Sequence, residues 1–203
     1  MPLTLDDAET QARAELAANP DQDPVEVLNS LAQKLGSAWG TPSWAALRQE
    51  LKTVAVDATM RAELLKYALF EGHDWKAEAY LRIDPKLASS RMDLCLATYD
   101  VEAVKAAVEA APAFCDTYIG VRRPILHLAF SKWHQGDPER QQRSVEVAQL
   151  LLAHGANIND AFASGPGEEP SLTVLYGALG HADNRLLADF LLEQGAFVDD
   201  NES

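Results

Sequence analysis

Long hydrophobic runs are missing from this chain of 203 residues. No apolar run approaches the ~20 residues that a transmembrane helix needs, so we expect no membrane association. The first residues, Met1 to Asp7, contain no basic group and no hydrophobic core, which is not the pattern of a signal peptide. We therefore expect a cytoplasmic protein.

Cysteine and basic residues are also scarce. We expect the two cysteines, Cys95 and Cys115, to be reduced and at least partly buried. Lysine and arginine number 17 against 31 acidic residues, and the net charge of −14 disfavours binding to nucleic-acid phosphates. The same charge would attract a basic protein partner. Simple solubility is the alternative explanation of the acidic composition.

The motifs of the readily recognised enzyme classes are absent. The sequence has no Gly-x-x-x-x-Gly-Lys-Ser/Thr, no Gly-x-Gly-x-x-Gly, no His-Glu-x-x-His and no Gly-x-Ser-x-Gly. A nucleophile made of Cys115 and His127 has no supporting local signature. The five histidines do not pair at metal-ligand spacing with a nearby cysteine. We expect no enzyme and assign no catalytic residue, cofactor or metal ligand.

The first 56 residues are predicted to form helices. Helix starts, with a capping residue and in two cases a proline in the first turn, are visible at Thr4-Leu5, Asp23-Pro24 and Thr41-Pro42. The first helix is predicted to run from Leu5 to Ala18. Trp39 and Trp44 lie beside apolar stripes and are expected in the core. We interpret residues 1–56 as an N-terminal helical cap, since the terminal units of repeat arrays need a cover.

A self-similar pattern dominates the second half of the chain. Leu150-Leu151-Leu152 is followed by Gly155-Ala156, and forty residues later Phe190-Leu191-Leu192 is followed by Gly195-Ala196. Glycine can adopt the left-handed conformation that ends a helix, so both glycines are predicted helix stops. Such self-similarity is typical of repeat proteins.

These motifs are similar to the ankyrin repeat. Its opening motif is matched by Pro124 to Ala129, by Thr173 to Ala178 and, more loosely, by Leu94 to Ala97. The likeness is to the divergent repeats of bacterial ankyrin proteins. It implies an all-α, ankyrin-like helical repeat solenoid over residues 57–203, in which His127 serves by hydrogen bonding. The units would be roughly 58–90, 91–122, 123–160 and 170–203.

Two insertions interrupt the predicted repeats. About ten extra residues separate the helices of the third unit. Gly136 with Asp137-Pro138 predicts a loop around Lys132 to Arg140. An extension of the first helix before this loop is the alternative use of the extra residues. Small and helix-breaking residues between Ala161 and Pro170 predict a mobile loop before the fourth unit.

The resemblance implies a concave binding surface made of finger loops and first helices. The residues that we predict to bind a partner there are Tyr118, Arg122, Arg123, Phe130, Lys132, Trp133, Phe162 and Tyr176. Two features independent of the family agree: residues 121–143 carry a local charge of +3, and aromatic residues and arginine are enriched at interfaces. Trp133 is either a partner anchor or a plug that folds back onto the repeats, and packing is the alternative for Tyr118 and Phe162.

We therefore expect a non-enzymatic module that presents a preformed surface to a protein, a basic one by the charge argument. A rigid scaffold keeps the ordering cost of binding low. The alternative is a small-ligand-binding protein or enzyme with a pocket between the N-terminal segment, the 131–144 insertion and the repeats. The sequence leaves the partner's identity and the oligomeric state open.

Overall fold

The computed structural model describes residues 4–36, 43–111 and 113–198, and these are mostly helical. The α-helices are α1 Leu5–Ala18, α2 Pro24–Gly36, α3 Trp44–Ala55, α4 Ala58–Glu71, α5 Asp74–Ile83, α6 Met92–Ala97, α7 Val101–Ala110, α8 Pro124–Ala129, α9 Pro138–Ala153 and α10 Arg185–Glu193. A π-helix, Tyr176–His181, and the short strands β1 Ala161–Phe162 and β2 Leu172–Thr173 complete the main elements. The structure confirms the predicted all-α class. No helix in these ranges has both the length and the hydrophobicity of a membrane span.

The chain divides into two compact units. The first consists of residues 1–61 and 79–85, and the second of residues 62–78 and 86–203. Residues 57–61 and 79–85, which the sequence analysis assigns to the repeats, belong to the first unit. The role of residues 1–56 as a cap stays a prediction.

The first unit has a small core between α1, α2 and α3. The bounds predicted for α1 are confirmed, and the side chain of Thr4 accepts from the Asp7 N–H at 3.2 Å as the first half of a capping box. Trp44 packs against a core of Ala8, Ala32, Leu47 and Leu51, as predicted. Trp39 and the predicted helix start at Thr41-Pro42 lie outside the described residues.

The second unit contains two rows of helices. The first row is α6, α8 and the π-helix, and the second row is α7, α9 and α10. Each first-row helix also contacts the second-row helix that follows it in sequence. All six residues of α8 are buried, because neighbours cover this helix from several sides. The first-row helices can therefore be short and almost wholly apolar.

Both predicted helix stops are confirmed. Gly155 has φ 89° and Gly195 has φ 95°, the left-handed region that glycine adopts without strain. In each copy the next residue donates to a carbonyl of the preceding helix, Ala156 N–H to Leu151 O and Ala196 N–H to Leu191 O, both at 3.0 Å. The two copies therefore end their helices by the same hydrogen bond.

A second repeated feature lies at the turn before each second helix. One residue in every such turn has positive φ: Gly72, Tyr99, Gly136 and Asp183, at 76°, 58°, 69° and 53°. In three of the four turns the following residue caps the next helix with its side chain, which accepts a backbone N–H: Asp100, Asp137 and Asn184. Tyr99 and Asp183 adopt this conformation against the preference of residues with a Cβ. The four helix pairs therefore share one turn geometry.

The insertion in the third unit is short and packed. Helix α8 ends at Ala129, so the first helix is not extended, and the connection runs only from Ser131 to Asp137. The prediction of a loop as far as Arg140 is wrong, because Asp137 caps the N–H groups of Glu139 and Arg140 and so begins α9. The Lys132 N–H donates to Leu69 O of α4 at 2.8 Å. This bond holds the connection against the first helix pair of the unit.

Two finger-like turns precede the third and fourth helix pairs. The first is closed by the bridge between Ile119 and Arg122. In the second, β1 and β2 pair antiparallel, with Ala161 opposite Thr173 and Phe162 opposite Leu172. The ends of the second insertion are thus held together by strand pairing, and the mobility of its tip stays a prediction.

Candidate binding site

Three of the predicted binding residues are buried. Phe130, Trp133 and Phe162 are only 2%, 8% and 9% exposed. The Arg140 guanidinium lies 3.6 Å from the centre of the Trp133 ring and covers it. Because Trp133 and Phe162 have almost no free surface, we remove them from the predicted binding surface, and Phe130 stays in it only as a wall of the cavity described below. Of the two interpretations of Trp133, the structure supports the one in which its side chain folds back onto the protein.

Other predicted residues remain accessible. Tyr118 is 58% and Tyr176 49% exposed. Arg123 stacks on Tyr118, with 4.4 Å between its guanidinium carbon and the ring centre, and its Nη1 donates to Asp160 Oδ1 at 2.7 Å. Lys132 is half-buried against Gly72. The tyrosines offer apolar area to a partner, whereas Arg123 is already engaged inside the protein.

Arg122 lies within an aromatic cluster, which we define as Phe70, Phe130, Phe162 and His181. Its guanidinium carbon is 4.9, 5.1 and 4.2 Å from the ring centres of the three phenylalanines. Phe130 meets Phe162 edge-on at 5.0 Å, and the His181 ring lies 4.2 Å from the ring of Phe70. His181 also bonds through Nε2 to the Phe70 carbonyl at 3.0 Å. Ring faces thus surround the cation.

The Arg122 side chain has no hydrogen-bond or ion-pair partner in the part of the chain that the structure describes. Its Nε is buried without an acceptor. Burial lowers the pKa of Arg122, but an arginine side chain does not lose its proton in proteins. The site therefore holds a positive charge that no neighbouring carboxylate compensates.

Together with Glu63, Asp93 balances the charges of Lys66 and Arg91. Its carboxylate is 2.8 Å from Lys66 Nζ and 2.6 Å from Arg91 Nη2, and Arg91 also contacts Glu63. Burial alone would raise the pKa of Asp93, but the hydrogen bonds from Arg91 and Lys66 outweigh it and lower the pKa to about 2. Asp93 is therefore ionised at neutral pH, whereas Arg122 has no such carboxylate partner among the described residues.

A cavity of about 280 Å³ opens beside the Arg122 guanidinium. Its lining residues all belong to the second unit and are Glu63, Lys66, Tyr67, Phe70, Val121, Arg122, His127 and Phe130. Tyr67 and Val121 are also more than half exposed to solvent. Aromatic and aliphatic groups thus form half of the lining, and one uncompensated guanidinium lies among them.

Only part of this cavity is predicted by the sequence. The sequence predicts that Arg122 and Phe130 bind a partner and that His127 has a structural role. It does not predict Tyr67 and Phe70, because α4 carries no repeat motif that would place it beside the finger at Ile119 to Arg122. The helical spacing of Glu63, Lys66, Tyr67 and Phe70 on α4 is the signal that could have found them, since residues three and four apart share a face.

His127 has the hydrogen-bonding role that the ankyrin resemblance implies. Its Nε2 lies 2.9 Å from the Ile119 carbonyl, so this nitrogen carries the proton of the neutral ring and donates it. Burial lowers the pKa of His127 to about 4 from 6.5, and the hydrogen bond to Ile119 opposes this effect only in part. Among the charged neighbours, Lys66 and Arg122 lower the pKa and Asp93 raises it. The ring is therefore neutral at pH 7 and holds the finger against α8.

Acidification is expected to destabilise the second unit through His127. His127 takes up a proton near pH 6.5 in the unfolded chain but only near pH 4 in the folded chain. The stability that depends on neutral His127 is therefore fully present above pH 6.5 and is lost as the pH falls from 6.5 to 4. At about 1.4 kcal/mol per pH unit of difference, the loss approaches about 3 kcal/mol. Urea unfolding at several pH values, followed by circular dichroism, measures it.

The matched variants are His127→Gln, which keeps an N–H donor near Ile119 but cannot titrate, and His154→Gln at an exposed histidine. We expect the His127 variant to have a smaller loss of stability between pH 6.5 and pH 4 than the wild type. The His154 variant should follow the wild type. An unchanged pH dependence in His127→Gln would show that other groups cause the acid effect.

The two cysteines lie inside the protein. Cys95 and Cys115 are free and buried, and burial raises the pKa of both thiols. Cys115 Sγ donates to Leu151 O at 3.5 Å while His127 bonds to Ile119, so the two side chains have separate partners. Within the described ranges, no group of three or more histidine, cysteine, aspartate or glutamate side chains is arranged to hold a metal ion.

A second cavity, of about 370 Å³, lies beside Trp133. Both arginines in its lining already have partners, because Arg140 Nε is 3.1 Å from Asp137 Oδ2 and Arg143 Nε donates to Tyr99 O at 3.2 Å. The Arg122 cavity is therefore the better candidate for a binding site.

Comparison of the chain with protein-family models, with curated proteins and with solved structures found no match.

Proposed function

We propose that this chain is a non-enzymatic, cytoplasmic module that binds another protein through the surface around Arg122. The observation that carries the proposal is an uncompensated guanidinium with large exposed side chains around it. Tyr67 and Val121 line its cavity, Tyr118 lies in the same finger, and Tyr176 contacts Phe130 at 6.2 Å between ring centres. Exposed apolar groups collected in one place mark interaction surfaces, and tyrosine and arginine are frequent at their centres.

We further propose that the second unit is an ankyrin-like helical solenoid. Support comes from its two rows of helices, the identical helix stops at Gly155 and Gly195, and the shared turn before each second helix. A rigid array of this kind presents a preformed surface. The net charge of −14 of the whole chain favours a basic protein partner over nucleic acid.

A small-ligand-binding protein is the second candidate, because the Arg122 cavity exists. At about 280 Å³, however, the cavity is slightly smaller than the ~300–1,000 Å³ of most small-molecule sites. Tyr67 and Val121 also line the cavity while more than half exposed, and a ligand confined to the cavity would leave much of their surface uncovered. A protein partner accounts for both the cavity and the surface around it.

Affinity capture from the native cell extract tests the proposal. We expect the wild-type chain to retain a protein that the variant Tyr118→Ala/Tyr176→Ala loses, with at least about tenfold weaker binding, since truncated central aromatics at interfaces often cost 2 kcal/mol or more. The matched control is Leu186→Ala/Phe197→Ala, which removes exposed apolar groups near the end of the described chain. A partner lost equally from both variants, or from neither, would contradict the assigned surface.

A further inference from the structure

The Arg122 cavity has an electrostatic requirement that the described chain leaves unmet. A guanidinium has N–H donors in a planar fork, and the phenylalanine rings around Arg122 offer π faces but no oxygen acceptors. Burying such a charge without an acceptor is unfavourable. An incoming anion would supply the missing hydrogen bonds, so the cavity is built to gain from binding one.

The charges around the cavity favour an anion with a single negative charge. Lys66 is already paired with Asp93, and Glu63 with Arg91. Of the described residues that line the cavity, a phosphate dianion would find only Arg122 as an unpaired cation, and it would also face the Glu63 carboxylate at the wall. A carboxylate needs only the one cation and matches the guanidinium fork with two parallel hydrogen bonds.

The cavity walls favour an apolar group attached to that carboxylate. Tyr67, Phe70, Val121 and Phe130 line the space beside Arg122. An acidic side chain would bring only one or two methylene groups into this space. The last residue of a chain brings both a carboxylate and its own side chain, so an apolar C-terminal residue satisfies the guanidinium and the rings together.

The rim of the cavity favours a ligand that continues outward. Val121 is 75% exposed and Tyr67 56% exposed, although both line the cavity. A small acid would fill the space and leave these side chains in water. A peptide whose end lies in the cavity would cover them with its preceding residues.

We propose that the Arg122 cavity captures the C-terminal carboxylate of a partner protein that ends in an apolar residue. This inference rests on the proposed function, because it names the part of the partner that the surface recognises. The terminal carboxylate pairs with the Arg122 guanidinium, and the terminal side chain packs between Phe70, Phe130 and Tyr67.

Titration of the whole chain with defined probes tests the proposal. The probes are the labelled peptide acetyl-Gly-Ser-Gly-Phe as a free acid, the same peptide as a C-terminal amide, a peptide with an internal glutamate and a blocked C-terminus, and 3-phenylpropionate. Fluorescence anisotropy measures the affinity of the three labelled peptides. The affinity of the unlabelled 3-phenylpropionate is measured by its competition with the labelled free-acid peptide. We expect the free-acid peptide to bind at least tenfold more tightly than each of the others.

The protein variants separate the role of Arg122 from charge in general. Arg122→Gln should weaken the free-acid peptide at least tenfold, whereas Arg185→Gln removes the same charge from an exposed position and should change nothing. Arg122→Lys keeps the charge without the fork and should give an intermediate affinity. Thermal unfolding of each variant shows whether it is folded. If Arg122→Gln does not fold, the affinity of Arg122→Lys for the free-acid peptide decides the test.

Each result decides between named alternatives. Equal binding of the acid and amide peptides would overturn carboxylate recognition, and equal binding of the internal glutamate peptide would overturn recognition of a chain end. If 3-phenylpropionate binds as tightly as the peptide, the cavity is a site for small organic acids. That result would overturn the proposal that it binds the C-terminus of a partner protein. If peptide binding depends on Arg122 but no protein is captured from the extract, carboxylate recognition is supported and the proposed function is overturned. If Arg122→Gln still captures the partner protein, the proposed function is supported and recognition of the partner's terminus by Arg122 is overturned.

Discussion

Asn184→Ala is expected to lower the free energy of unfolding by about 2–4 kcal/mol, which is more than a helix cap alone contributes. Asn184 is buried, and its Oδ1 accepts the Leu187 N–H at the start of α10. Its Nδ2 also donates to Ser144 Oγ of α9 at 2.9 Å. Alanine would leave a buried N–H without an acceptor and would break the only side-chain hydrogen bond recorded between α9 and α10 in the described chain. Chemical denaturation measures the loss.

The matched control is Asp100→Ala, at the same position of another turn. Asp100 caps α7 through the Ala103 N–H but is partly exposed, so we expect a loss of only about 1 kcal/mol. A double-mutant cycle with Ser144→Ala isolates the bond between α9 and α10, and we expect coupling of at least about 0.5 kcal/mol. Equal losses for the Asn184 and Asp100 variants would show that the buried bond to Ser144 adds nothing.

Gly177→Ala is expected to destabilise the chain by about 1–3 kcal/mol, although alanine is the better helix former by about 1 kcal/mol. A Cβ at Gly177 would lie 2.5 Å from both Cδ2 and Cε2 of Phe130 and 3.2 Å from the Ala129 Cβ. The Phe130 ring is buried against Phe162 and cannot move away freely. The overlap therefore outweighs the gain in helix propensity, and thermal unfolding measures the difference.

Gly165→Ala is the control for this substitution. There the added Cβ would approach only the carboxylate end of the exposed Glu168 side chain, which can rotate away, so we expect a change within about 0.5 kcal/mol. A Gly177 variant as stable as the wild type would mean that the aromatic cluster can repack. In that case the position of Arg122 would not depend on the ring of Phe130.

Local signals in the sequence predict much of this fold. The capping residue Thr4 and the helix from Leu5 to Ala18 are visible from propensity and capping chemistry, as are the stops at Gly155 and Gly195. The turn at Tyr99 could not be predicted in this way, because a bulky residue rarely takes positive φ. Its conformation is maintained by tertiary contacts, including a hydrogen bond from its hydroxyl to Ser131 O at 2.9 Å.

The candidate site is harder to predict because its residues are distant in sequence. Arg122 was selected as part of a locally basic segment, but its environment depends on Phe70 and Phe162, which come from α4 and β1. Charge counting also treated Arg122 and Arg123 alike. Only tertiary structure shows that Arg123 is paired with Asp160 while Arg122 is not.

The contacts between α4 and the later helix pairs change how this molecule should unfold. In an array where each repeat touches only its neighbours, the ends fray independently of the middle. Here Leu69 O accepts the Lys132 N–H from the third pair, and the next carbonyl, that of Phe70, bonds to His181 of the fourth. Separation of the last pair would break a bond to α4, which belongs to the first pair. We therefore expect the second unit to unfold as a single cooperative block rather than as a chain of independent segments.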